Sequence, residues 1–148
     1  MEHVHIPWKG WVLVCDGAKS LLFRNDGDAE LLNLKAVDVL SQPDAPARDL
    51  GTERPGRVYQ SHGAARSAVG DVDRHAQAEA DFLAALAIQL GKIVQQNEVN
   101  SLVIVAPPRA LGILRKHLPP AVRDVLTAEV PKDLASLSTP EIERHLAA

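Results

Sequence analysis

The apolar positions of this chain change period along its length, and the change predicts its elements. Near the start, WVLVC from Trp11 and SLLFR ending at Arg24 are short apolar runs. Each is closed by turn residues, Asp16-Gly17-Ala18-Lys19 after the first and Asn25-Asp26-Gly27-Asp28 after the second. Runs bounded in this way read as strands of a hairpin. A third strand is expected from about Glu30, with an alternation over residues 31–39 that is only partly two-faced. From Asp71 or Asp73, either of which can cap a helix, the spacing becomes helical. Glu79, Phe82, Leu83, Leu86, Leu90, Ile93 and Val94 then share one face as far as about Gln96.

The stretch LVIVAPPRALGILRKHL, residues 102–118, is the most informative. Its continuous apolar start is how a strand covered on both faces reads, so residues 102–106 are expected to form a central strand parallel to the one at Trp11. Pro107 and Pro108 stop that strand, and a Pro at the first helical position lacks only an N–H that the helix does not need. The helix is expected to end at His117. The Pro119-Pro120 break then leads to a strand from Val125 to Val130. Ser138 and Glu141 form a capping box for a last helix, with Thr139 before Pro140 as a rival cap. The expected order is β-β-β-α-β-α-β-α, an α/β chain with a mixed five-stranded sheet and helices packed on it, the arrangement of ribonuclease-H-like folds.

The composition shifts between these elements. Residues 41–73 carry Pro43, Pro46, Pro55, Gly51, Gly56, Gly63 and Gly70 with few apolar anchors, and predict a long basic loop. Arg54, Arg57 and Arg66 occur there with no acid between them, beside Tyr59, Gln60 and His62. That mixture suits phosphate contacts with base stacking, and it equally suits a solvated loop.

At 148 residues and 46% hydrophobic content, the chain fits one domain, 1–148, with a core that needs no staples. A formal charge of −3 removes a generally basic surface as an argument for nucleic acid and leaves only a local patch. The lone Cys15 cannot form an internal disulfide and reads as a core residue. MEHVHIPWKG has neither the basic start nor the apolar run of a secretory leader, and no segment is long enough to span a bilayer. A cytoplasmic location with no membrane partner is therefore the expectation. His3 and His5 make an incomplete metal pair on a terminal segment, and no metal or cofactor is expected.

Ligands of open α/β sheets bind outside the carboxyl ends of the strands. Chain order brings Asp16, His75, Glu79 and Arg109 to that edge as one candidate pocket. Arg109, beside the free N–H groups of a helix start, offers an anion nest, while the same corner also serves as a plain crossover. His75 and Glu79, one turn apart, suit proton transfer or a hydrogen-bonded helix end.

The segments WVLVCDGAKSLLF, ERPGR, DRHAQAEADF, LVIVAPPRALGILRKHL and EVPKDL together resemble the bacterial host attachment protein family over roughly residues 11–146. At greater distance the chain resembles the middle domain of class 1 peptide-chain release factors and the ribosome-rescue protein Pelota. That resemblance implies a loop before the long helix that meets ribosomal or transfer RNA. The matching segment here, GRVYQSHGAARSAVGD, has no Gly-Gly-Gln, so peptidyl-tRNA hydrolysis is not implied.

The leading expectation is a bacterial, ribosome- or transfer-RNA-associated module of translation. Arg54, Arg57, Arg66 and Arg109 would be its phosphate contacts, with Tyr59 or His62 as stacking groups. The alternatives are a non-catalytic protein-interaction module in host attachment and, less favoured, a metal-dependent phosphodiesterase. The last has Asp16 but no second acid on the central strand, only Asp71, Asp73 or Glu79. No Ser, Cys or His nucleophile motif is present, and the sequence leaves open both the oligomeric state and whether any bond is broken.

Overall fold

A computed structural model of the chain describes residues 4–42 and 61–147, and the side chains of all of these except 61–73. The elements are β1 (Trp11–Cys15), β2 (Lys19–Asn25), β3 (Leu34–Ser41), α1 (Ser61–Asn97), β4 (Leu102–Val105), α2 (Pro108–His117), α3 (Pro120–Val125), β5 (Leu126–Val130) and α4 (Thr139–Ala147). The five strands form one mixed sheet in the order β3-β2-β1-β4-β5. β2 pairs antiparallel with β1 and β3, whereas β4 runs parallel to β1 and β5.

Every residue of β1 and β4 is buried, because the sheet is covered on both faces. Trp11, Leu13, Cys15, Leu102, Ile104 and Ala106 point to one face, where they meet Leu83, Leu86, Leu90 and Val94 of α1, Leu111 and Leu114 of α2, and Val122 of α3. Val12, Val14, Val103 and Val105 point to the other, where Ile142 and Leu146 of α4 pack with Ile6 and Leu134. Burial of these branched side chains, about 1.5–3 kcal/mol each, fixes the register of the two parallel strands that carry the candidate site.

Four expectations need correction. The strand at Leu102 is interior and parallel to β1 as expected, but the middle strand of the five is β1. β3 starts at Leu34 rather than near Glu30, because the intervening residues form a turn pinned by side chains. Asp28 Oδ1 accepts the N–H groups of Glu30 and Leu31 at 2.9 and 2.8 Å, and Asn25 Oδ1 accepts those of Gly27 and Asn33 at 2.9 and 3.0 Å. Pro119-Pro120 opens the extra helix α3 instead of leading straight to a strand, since Pro in a first turn costs no hydrogen bond. The order is therefore β-β-β-α-β-α-α-β-α.

The fourth correction concerns the long helix, which begins at Ser61 rather than at Asp71 or Asp73. Ala64, Ala65 and Ala68 are the strongest helix formers, and they offset the roughly 1 kcal/mol that each of Gly63 and Gly70 costs in a helix interior. The expected loop over 41–73 is thus helical from residue 61. Arg54, Arg57 and Tyr59 lie outside the described residues. His62 and Arg66 are on the helical backbone, and their side chains lie outside the description, as do those of Asp71 and Asp73.

Candidate functional site

The carboxyl ends of β1 and β4 open onto a cleft of about 330 Å³ lined by Asp16, Gly17, Glu79, Pro107, Arg109 and Asp133, among others. Asp16 is the residue after β1, and its Oδ1 accepts the N–H groups of Ala18 at 2.8 Å and Lys19 at 2.9 Å. This side-chain-to-backbone turn starts the β1–β2 hairpin, and it leaves Oδ2 outside that network. Glu79 reaches the cleft from α1. A Cβ on Gly17 would lie 2.6 Å from Glu79 Cγ and 2.7 Å from Cδ, so the bare backbone at Gly17 is what lets the glutamate rest on the turn.

Arg109 enters from the first turn of α2, directly after the Pro107-Pro108 corner. Its Nε is 3.9 Å from Glu79 Oε1, and the two side chains are 68% and 41% exposed. At that distance and exposure the pair contributes little to stability, so Arg109 is free to turn toward a ligand at small cost. Asp133 is supplied by the segment after β5. The charged lining is thus three carboxylates against one guanidinium, which makes the cleft floor an acceptor surface rather than a phosphate cradle.

Asp16, Glu79 and Arg109 are therefore brought together, and His75 is not. His75 is exposed and does not line the cleft. It lies one turn before Glu79, about 6 Å nearer the start of a helix that extends well past the sheet edge. Among the described residues, no group of three or more His, Cys, Asp or Glu side chains is arranged to hold a metal ion. Cys15, beneath the cleft at the end of β1, is a free buried thiol. Burial, helped by the charge of Asp16, pushes its pKa from 9.0 up to about 12.

Two lining residues and one supporting residue escaped sequence reasoning. Gly17 read only as a turn glycine. Asp133 was discoverable, because the strand-end rule applied to Asp16 and Arg109 applies equally to β5. The third is Gln42, which is buried and ties the tip of the hairpin to the end of β3. Its Nε2 donates to Gly17 O at 2.8 Å, and its backbone N–H donates to Ala18 O at 2.9 Å.

These features define a mixed α/β domain with a small, acidic cleft outside the carboxyl ends of its parallel strands. The chain belongs to bacterial archaeo-eukaryotic release factor family 12, whose model matches residues 9–146. No match is found among curated proteins. The release-factor side of the resemblance read from the sequence is thus present at family level, and the matched family carries no host-attachment designation. Among the described residues, no helix is long and apolar enough to cross a membrane.

Proposed function

We propose that this protein is a release-factor-like module that engages RNA of the translation machinery through the carboxyl-end surface of its sheet. We read the sheet itself as ribonuclease-H-like. The observation that carries the functional reading is family membership over residues 9–146. The geometry supports a division of labour within it. Arg109, exposed at the rim, meets a phosphate together with Arg54 and Arg57 of the segment that leads into α1 and Arg66 of its first turns. The carboxylates of Asp16 and Glu79 offer acceptors to the amino or imino edge of an unstacked base. Tyr59 or His62 would stack. Without a Gly-Gly-Gln sequence, no ester hydrolysis is assigned to the module.

The test is co-sedimentation with ribosomes, and filter binding to transfer RNA, across a salt series. Replacing Arg54, Arg57 and Arg66 by Ala should weaken association and flatten its salt dependence by about 0.7 to 0.9 in log–log slope per lost phosphate contact. Arg109→Ala should do the same for a single contact with little loss of stability, because its pairing with Glu79 is long and solvated. A wild-type protein with no salt-sensitive association with ribosomes or transfer RNA would remove this reading and favour a protein partner.

A further inference from the structure

A second and larger cavity, about 850 Å³, lies along the outer side of β5, away from the strand-end cleft. Its apolar walls include the segment before β1, with Val4 and Pro7; β5 itself, with Ala128 and Val130; and the last turn of α4, with Leu146. The cavity is built on the face where Val130, Ile142 and Leu146 already pack, so its interior continues the apolar core of that layer. Its volume is within the usual range for small-molecule sites, and its mostly apolar walls with a few polar groups match their usual make-up.

Lys132 is the one lining cation among the described residues, and two imidazoles line the cavity with it. His5, Lys132 and His145 line the cavity from three separate segments. The single lining acid, Glu129, is engaged elsewhere, because its Oε1 accepts Arg115 Nε at 2.8 Å from α2 on the opposite face of the sheet. Among the described lining residues Lys132 thus faces no carboxylate that is not already paired, while His145 feels the charge of Glu141 one turn before it on α4. β5 is a sheet edge, and an added peptide strand would be the rival occupant. Pro131 follows directly and has no N–H to offer such a strand, which disfavours extension along this edge.

We infer that this cavity is a binding site for a small molecule with an apolar body and a carboxylate head, the body between β5 and α4 and the head at Lys132 with His5 and His145. A charge-assisted contact of this kind discriminates strongly between ligands that share a tail and differ in head. The site is independent of the RNA reading, since it shares no residue with the strand-end cleft.

The test is calorimetric titration of the full chain with decanoate, decanol and decyltrimethylammonium, each below its aggregation threshold. Decanoate is expected to bind saturably, and about tenfold or more tighter than the other two. Lys132→Met, which removes the charge and keeps most of the stem, should bring decanoate down to the level of decanol while leaving decanol and the thermal midpoint unchanged. Ala128→Trp, which adds bulk to the wall from a partly exposed position, should abolish binding of all three. Absence of saturable decanoate binding would overturn the inference, as would equal affinity for the three heads, or decanoate binding unaffected by both substitutions.

Discussion

Asn25 is the buried polar residue on which the most backbone converges, and its removal offers the sharpest test of how this chain is held together. It is 0% exposed at the end of β2. Its Nδ2 donates to the carbonyls of Ile6 at 3.0 Å, Pro7 at 3.2 Å and Asp28 at 3.1 Å, while its Oδ1 accepts the N–H groups of Gly27 and Asn33. One side chain thus fastens the segment before β1, the β2–β3 turn and the end of β2. In Asn25→Ala the Pro7 carbonyl keeps the N–H of Gly10 at 2.8 Å, and groups near the exposed turn regain water. The Ile6 carbonyl, on a residue that is 0% exposed, does not.

With one or two buried groups orphaned at about 1–3 kcal/mol each, and the remaining bonds lost at their smaller net value, the expected cost is about 3–5 kcal/mol. That is a large share of the 5–15 kcal/mol typical of a domain. Urea denaturation would measure it, and amide exchange at Gly27 and Asn33 would locate it. Asn25→Asp sharpens the test, because it keeps the shape but turns an oxygen toward three carbonyls. There the carboxyl proton is favoured in the folded state, so the folded pKa is raised above the unfolded one. Stability should recover as pH falls and be lost as pH rises through that folded value. A cost below about 1 kcal/mol for Asn25→Ala, or no recovery of Asn25→Asp in acid, would refute the reasoning.

Two further outcomes follow from other residues. Cys15 should resist thiol reagents in the folded protein at neutral pH. Its folded pKa is raised from 9.0 to about 12, so stability should fall above pH 9 by up to about 1.4 kcal/mol per pH unit; urea midpoints of wild type and Cys15→Ala compared at neutral and alkaline pH would isolate that slope. Ser138→Ala should cost about 1 kcal/mol, because Ser138 Oγ caps α4 at Glu141 N–H (3.4 Å), while Glu141 Oε1 accepts the Ser138 N–H and Oγ–H, each at 3.0 Å, and those two bonds hold the Glu141 carboxyl below its ordinary range. The Glu141 contribution should be present at neutral pH and lost in acid as that carboxylate is protonated, which chemical denaturation across pH would detect.

The strands, the parallel pairing and the capping box were legible because each is written in local chemistry. Unbroken apolar runs need two covered faces, and Ser138 with Glu141 has the spacing of reciprocal capping. Boundaries were less legible wherever a side chain distant in sequence decides them. Asn33 read as part of a strand, but its N–H is taken by Asn25 Oδ1, which postpones β3 to Leu34. At residues 61–73 the glycines argued for a loop, and the alanines between them outweighed the argument. For the candidate site, the strand-end rule pointed to Asp16 and Arg109, and both line the cleft. The helical offset that separates Glu79 from His75 depends on how far α1 projects past the sheet, and no pattern in the sequence encodes that distance.

The electrostatics of the strand-end cleft constrain how an RNA partner would lie on it. Asp16, Glu79 and Asp133 repel a phosphate from the floor, whereas Arg109 at the rim attracts one. A polyanion that satisfies both must turn its backbone outward along the rim and its base edge inward, the reverse of a phosphate-cradling loop. Among the described lining residues Arg109 is the one cation, and the proposed reading adds Arg54, Arg57 and Arg66 as further phosphate contacts. Association by this route therefore carries a shallow salt dependence, about −3 in log–log slope at most for a single strand. The acidic floor makes the same binding sensitive to Glu79→Gln, which keeps an acceptor but removes the repulsion. That substitution should relax selectivity among bases while strengthening overall affinity, a pairing of effects that a purely structural glutamate would not produce.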